Sequence, residues 1–324
     1  MTISCSSHSC SLYPSNNLMN GTIVTEFVLL GFHLAPHLRI FVFYLIFICY
    51  TVTLMGNFII LYLVFSDQRL HFPMYYFLCN LAAMDIFFIN TVVPGMLNGF
   101  VQETVHISLE LCLTQSFIYF LIGTAEFLLF AVMSFDRYLA ICRPLHYTII
   151  MHRKMCIRLI AGVWLGSFFI IAFPSVLVCK LNFCNNLIDD FFCDSQPLLA
   201  NSCTETTMIE LLSVFGVCSL YISVLITIIS YIKIVLEVLK IDSADGRVKT
   251  LSTCSSHAVV VTLIYSSCIF LYAKPSRDLA ANFDKEVAIL NTVVVPLLNP
   301  FIYTLRNQTV RRSFSDVFLM KNKK

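Results

Sequence analysis

Seven apolar runs, each about 20 residues or longer, dominate this chain, and each is long enough to cross about 30 Å of hydrocarbon as a helix. They fall near 40–65, 73–100, 111–141, 157–178, 211–239, 250–273 and 287–305. Composition points the same way: 58% of the residues are hydrophobic and only 12% are charged, where a soluble domain carries roughly a quarter charged residues. The expected fold is an all-α membrane protein, a bundle of seven transmembrane helices. A net charge of +2, with no basic block before Lys321, argues against nucleic acid as a partner.

The connecting loops are short, so neighbouring helices run antiparallel, and the distribution of basic residues sets their direction. Arg69, Arg143, Arg153, Lys154, Lys240, Arg247, Lys249, Arg306, Arg311 and Arg312 flank one set of helix ends. Glu103, Glu110, Asp189, Asp190, Asp194 and Glu205 flank the other. This places the amino terminus outside and the carboxyl terminus in the cytosol. The expected division is an extracellular segment over 1–39, a transmembrane domain over 40–305, and a cytosolic tail over 306–324 in which Arg311, Arg312 and Phe314 suit an amphipathic helix on the inner leaflet. Residues 1–18 lack the basic start and apolar core of a cleavable signal.

Asn20-Gly21-Thr22 is a glycosylation sequon on the outer side, whereas Asn307-Gln308-Thr309 lies on the cytosolic side and should be silent. Of fourteen cysteines, Cys49, Cys79, Cys142, Cys218, Cys254 and Cys268 fall within helices or at their cytosolic ends, where they act as small apolar residues. Cys112, Cys184, Cys193 and Cys203 fall outside, an even set in an oxidising compartment, which reads as disulfides. Spacing alone leaves their pairing open. Metal ligation is the weaker alternative, because the four form no C-x-x-C pair and the outer loops hold only His106.

The third run ends in MSFDRYLAIC, Met133 to Cys142. Arg137 lies 25 residues beyond Cys112, about 37 Å along a helix, and so at the cytosolic face, where an arginine escapes much of the cost of a mid-membrane charge. It can pair with Asp136, anchor the membrane edge, or meet a partner protein. By the same counting Glu126 lies about 16 Å above that face, Asp85 about 19 Å, Asn57 about 13 Å and Asn299 about 10 Å. Four polar side chains from four helices therefore share one slab of the membrane interior. Lone carboxylates there are costly, so the cluster either holds a sodium ion, shares a proton, or forms a neutral hydrogen-bonded knot.

An outside amino terminus, seven helices, Asp136-Arg137-Tyr138 closing the third and Asn299-Pro300-Phe301-Ile302-Tyr303 closing the seventh resemble the rhodopsin-like G-protein-coupled receptors. FVLLGF (Phe27–Phe32), HFPMYYFL (His71–Leu78), RPLHY (Arg143–Tyr147), Ser230-Tyr231, KTLSTCSSH (Lys249–His257) and PLLNPFIYTLRN (Pro296–Asn307) narrow the resemblance to odorant receptors, from about Thr25 to Phe314. The sixth helix carries Tyr265 where most rhodopsin-like receptors have the tryptophan of a Cys-Trp-x-Pro motif. Departures are mild: LAAMD (Leu81–Asp85), Ser134-Phe135 and Ile264-Tyr265-Ser266 alter packing more than chemistry. MNGTIVTEF, beginning at Met19, looks like a normal start for the family, which makes residues 1–18 an upstream extension.

The resemblance implies disulfides Cys112–Cys193 and Cys184–Cys203. It implies a ligand site from Tyr119, Phe120, Gly123 and Thr124 on the third helix, Phe215 and Ser219 on the fifth, Tyr265, Cys268, Ile269 and Tyr272 on the sixth, and Thr292 on the seventh. These positions hold hydroxyls and apolar groups but no charge, and Tyr119 stands where amine receptors carry an aspartate. A small, neutral, largely apolar volatile is the expected ligand, held by burial at about 25 cal/mol per Å². Asp136, Arg137, Tyr138, Tyr231, His257, Asn299, Pro300 and Tyr303 would serve activation and coupling to the olfactory stimulatory G protein, raising cyclic AMP. The resemblance also implies residence in the plasma membrane of olfactory cilia, a trafficking helper protein, lipid as a partner, and no cofactor beyond the sodium ion.

Two other readings weigh less. A transporter would show repeated halves, and no repeat is visible. A protease would need a paired aspartate site or H-E-x-x-H, neither of which occurs, and a non-odorant rhodopsin-like receptor would answer a peptide or an amine. The topology has a direct check: Asn20→Gln removes the glycosidase-sensitive mass shift of cell-expressed protein, and Asn307→Gln leaves it unchanged.

Overall fold

The computed structural model describes residues 24–32, 34–272, 284–306 and 308–319, with side chains throughout except at 248–256, 303–306, 308, 318 and 319. Asn20, residues 1–18 and the side chain of Tyr303 lie outside the described set.

Seven long helices carry the chain: α1 (Pro36–Ser66), α2 (Pro73–Gln102), α3 (Leu109–Cys142), α4 (Arg153–Val178), α5 (Thr207–Val238), α6 (Ala244–Tyr272) and α7. The last is composite, with Asp284–Ile289, a π-helical turn Leu290–Val294, and Val295–Arg306. Six of the seven are long and apolar enough to cross a membrane; α6 concentrates its apolar character in His257–Tyr272. Start signals explain several boundaries. Pro36 and Pro73 stand in the first turns of α1 and α2, where proline's missing N–H costs nothing. Ser108 caps α3 by accepting from the Leu111 N–H.

Burial is arranged as hydrocarbon demands. Large apolar side chains such as Phe41, Phe65, Phe87, Leu165, Phe173 and Ile222 face outward. Polar side chains such as Asn57, Asp85, Ser134 and Asn299 are buried among the helices, because lipid cannot hydrogen-bond them. α3 is the hub, packing against α2, α4 and α5 and also touching α6. α1 meets α7 closely: a Cβ on Gly56 would sit 2.7 Å from Pro300 Cβ.

At one end, two disulfides tie the long α4–α5 loop down: Cys112–Cys193 fastens it to α3 and Cys184–Cys203 closes it on itself. A three-stranded sheet of order β2-β1-β3 covers this end. β1 (Glu26–Leu29) pairs antiparallel with β2 (Val105–Ser108), in a register placing Phe27 opposite Ile107, and parallel with β3 (Leu187–Ile188). Phe27 and Ile188 are fully buried beneath it. At the opposite end lie the short helix Pro144–Ile150 and the tail helix Gln308–Phe314. The tail helix buries Val310 and Ser313 and exposes Arg311 and Arg312, an amphipathic pattern. Arg69 bridges Asp67 and Asp316, both at 2.7 Å, fastening the α1–α2 loop to the segment after that helix.

The Gly56–Pro300 approach generates a paired expectation. Gly56→Ala overfills the α1–α7 contact and costs about 1–3 kcal/mol, lowering the midpoint of thermal unfolding in detergent. Gly162→Ala, whose Cβ meets nothing within 4 Å, is neutral or slightly stabilising because alanine is the better helix former.

Candidate functional site

A cavity of about 1210 Å³ lies within the bundle at the disulfide end, bordered by α3, α4, α5, α6, α7 and the α4–α5 loop. Its roof is aromatic. Phe88, Tyr119, Phe120 and Tyr272 line it; Phe88 stacks on Tyr119 with ring centroids 4.9 Å apart, and Phe192 of the loop packs behind Tyr119 at 4.6 Å. Gln115 fixes the loop to the bundle: its carbonyl accepts from the Cys193 N–H at 3.0 Å while its amide donates to Thr91 O at 2.8 Å. Between α4 and α5 the cavity continues toward the bundle surface, where Phe168, Val176 and Val214 are about half-exposed.

Of the residues expected from sequence, Tyr119, Phe120, Gly123 and Thr124 on α3 and Cys268 and Tyr272 on α6 line this cavity. Tyr119 and Tyr272 join across it, hydroxyl to hydroxyl at 3.2 Å. Phe215, Ser219, Tyr265, Ile269 and Thr292 are not in its wall, and the reasons are physical. On α5 the lining face is Ser213, Gly216, Val217 and Leu220, spaced as one helical face. Phe215, 61% exposed, points away from it, and Ser219 turns its hydroxyl back onto Gly216 O at 2.7 Å. Tyr265 is drawn beneath the cavity, where its hydroxyl meets Thr227 Oγ1 at 3.4 Å and donates to Phe127 O at 3.3 Å. Ile269 packs against the surrounding core. On α7 the π turn Leu290–Val294 adds a residue to the helical repeat, so Asn291 and Val295 face the cavity and Thr292 does not. Asn291 also accepts a hydrogen bond from Ser267 of α6.

The expectation of an uncharged wall needs correction: three carboxylates border the cavity, the exposed Glu110 and Glu210 and the buried Glu126. Sequence reasoning had placed Glu126 only in the polar slab below. That slab is present. Asn57, Asp85, Glu126 and Asn299 are all buried, and Asn299 Nδ2 donates to both Asp85 oxygens at 3.1 and 3.0 Å. Asn57 Nδ2 is taken by Thr53 O at 3.1 Å. Three oxygens of the slab have no hydrogen-bond partner among the described residues: Asn57 Oδ1, Asn299 Oδ1 and Glu126 Oε1. Oxygen atoms so placed are the donor set that a hard cation takes.

At the opposite end Asp136 is buried and accepts from Arg137 Nη2 at 2.7 Å and from the Tyr147 hydroxyl at 2.8 Å. Burial and the Asp136 charge push the Tyr147 phenol above its ordinary pKa, which keeps it a donor. Tyr231 of α5 meets His257 Nδ1 of α6 at 2.6 Å. Tyr138 packs against Ile234 and Val238 of α5, and Pro300 is buried against α1.

The sequence matches the family described as olfactory receptor over residues 45–321. Human olfactory receptor 6C3 is 44% identical over 301 residues, covering 92% of this chain and 97% of that protein. Mouse olfactory receptor 6E1 is 44% identical over 302 residues, covering 92% and 96%. The fold is similar to the crystal structure of squid rhodopsin, with a TM-score of 0.69 at 20% identity over 89% of this chain and 82% of that one.

The lid over the cavity carries its own pH dependence. Asp190 is buried, and among the described residues its carboxylate accepts from the Phe191 N–H. Burial first, and Asp194 next, push its carboxyl up to about 8 despite the opposing influence of Lys285, whose ammonium bonds Asp189 at 2.6 Å and Gly31 O at 2.9 Å. Between an unfolded value of about 3.9 and about 8, the folded chain keeps a proton that the unfolded chain has released. Stability from this group is therefore greatest below pH 4 and is lost as pH rises through 8. Thermal unfolding between pH 5 and 8.5 should show a falling midpoint that Asp190→Asn flattens.

Proposed function

The chain belongs to the olfactory receptor family, and from that premise we propose that it detects small, neutral, largely apolar volatiles in the cavity beneath the aromatic roof. As a member of that family it is a receptor of the plasma membrane rather than an enzyme. The observation that carries the ligand reading is the cavity itself: about 1210 Å³, walled mostly by aliphatic and aromatic side chains, with Tyr119 and Tyr272 offering hydroxyls at the top. A small ligand there gains affinity chiefly by burial, so affinity is modest, since few heavy atoms bury little area.

Ligand binding biases a pre-existing equilibrium toward a conformation open at the Arg137 end. That end is cytosolic in this reading, as the basic residues around it favour. Tyr265 lies between cavity and slab and would move first. Asp136–Arg137–Tyr147 and Tyr231–His257 are the contacts that an opening of α5 and α6 from α3 would break or exchange. The cleft so formed accepts a stimulatory, olfactory-type G protein, and cyclic AMP rises. The slab of Asn57, Asp85, Glu126 and Asn299 is the place for a sodium ion or a shared proton, supported by the unpartnered oxygens of Asn57 and Asn299. Delivery to the cell surface uses a trafficking helper, and the working location is the cilium of a sensory neuron.

The test is cyclic AMP in cells expressing the receptor, the olfactory G protein and a helper, with surface labelling measured in parallel. A panel of neutral volatiles should contain agonists, and Arg137→Ala should lower the maximal response at least about tenfold at equal surface display. Responses confined to peptides would instead support a non-odorant receptor.

A further inference from the structure

We propose that Glu126 is the polar anchor of the cavity and that it selects ligands carrying a hydroxyl group; this rests on the odorant reading of the same cavity. Glu126 is 7% exposed, borders the cavity, and makes no hydrogen bond among the described residues, with Oε1 buried and unpartnered. Asp85, the nearest acid, is different: Asn299 donates to both of its oxygens. A buried carboxyl oxygen without a donor carries an uncompensated desolvation cost, and a group entering the cavity with an O–H would remove it.

Access to Glu126 comes from Gly123. The two are three residues apart on α3 and so share a face, with Gly123 nearer the roof. A Cβ on Gly123 would meet nothing within 4 Å, so the space above the carboxyl is open. Tyr265, the bulky residue beneath the cavity, is held aside by Thr227 and Phe127 O. The polar contacts at the roof are already satisfied in Tyr119–Tyr272, whereas those at the floor are not. Tyr119 and Glu126 are seven residues apart, about 10 Å along the helix. The fitting ligand is therefore elongated, with its hydroxyl on Glu126 and its hydrocarbon tail reaching toward the roof.

The chemistry separates this class from its neighbours. An alcohol donates to the orphan oxygen and can also accept if the carboxyl is protonated. A ketone can only accept, and a hydrocarbon does neither. A primary amine would bind as a countercharge and require the carboxylate.

Full-length protein in lipid nanodiscs, probed by thermal unfolding with octane, 1-octanol, 2-octanone and octylamine, tests this without requiring that any probe be an agonist, because a ligand that binds the folded state raises the midpoint. The native receptor should be stabilised more by 1-octanol than by octane, corresponding to about fivefold to tenfold tighter binding, the usual range for one such hydrogen bond. That excess should vanish in Glu126→Leu and in Gly123→Val, which leaves the carboxyl but covers it. It should survive in Glu126→Gln, whose amide oxygen still accepts. Equal stabilisation by octane and 1-octanol in the native protein would overturn the anchor and leave the cavity as an odorant site. Octylamine binding best, and losing its advantage in Glu126→Gln, would overturn the neutral class in favour of a cation. Stabilisation by none of the four would overturn the reading of the cavity itself, and the anchor with it.

Discussion

Hydrocarbon supplies no hydrogen bonds, and the interior of this receptor is organised around that fact. A polar side chain carried into the membrane is stabilised by a partner on the same helix or on a neighbour. Serines and threonines turn back onto their own helices, as Thr53, Ser167 and Ser223 do onto carbonyls four residues earlier. The groups that cannot do so bind helices together: Asn299 to Asp85, Tyr231 to His257, Ser134 to Thr227, Trp164 to Asn80. Each such pair ties two helices at a defined depth, and the pairs distribute themselves around α3. The aliphatic surface facing lipid specifies little by comparison, because one apolar side chain there is nearly as good as another.

This explains which features were legible in the chain. Helix number and, apart from the start of α6 at Ala244 where the apolar run begins near 250, helix limits to within about a turn follow from run length and a rise of about 1.5 Å per residue. Asp85 and Asn299, about 9 Å apart in depth by that counting, fall in one slab and are hydrogen-bonded there. Rotational facts were less accessible. Counting along α5 does not reveal that Gly216 and Val217 face inward while Phe215 faces lipid, since aromatic and aliphatic residues are equally content on both sides. The π turn at Leu290–Val294 has no local signature, and it exchanges Thr292 for Asn291 at the cavity. The sheet over the disulfide end was also missed. Its strands of four, four and two residues are too short for alternation to register, and β3 owes its place to a loop held by two disulfides.

The cavity's depth illustrates the same limit in another form. In sequence Glu126 is a buried acid grouped with Asp85, and its depth supports that grouping. Its openness toward the ligand side depends on two absences that only packing reveals: no side chain at Gly123, and a Tyr265 ring drawn away toward Thr227. A glycine in a helix interior weakens the helix relative to alanine, and at Gly123 it leaves open space where a Cβ would meet nothing within 4 Å.

Glu126, at the border of the cavity, and the Asp136–Arg137 pair lie on one continuous helix. From Glu126 to Arg137 is 11 residues of α3, about three turns, with no proline or glycine between them to absorb a displacement. A regular helix of that length moves as a rod. In the proposed mechanism a change in how α3 seats beside the cavity would reach its far end as a shift or rotation. The polar contacts at the far end would, in the same proposal, turn that motion into a switch. Asp136 is shared by Arg137 and Tyr147, and Tyr231 is held by His257 across the α5–α6 interface. Contacts of this kind are made or exchanged as units, and a physical warrant for coupling lies in such discrete elements rather than in distance or adjacency alone.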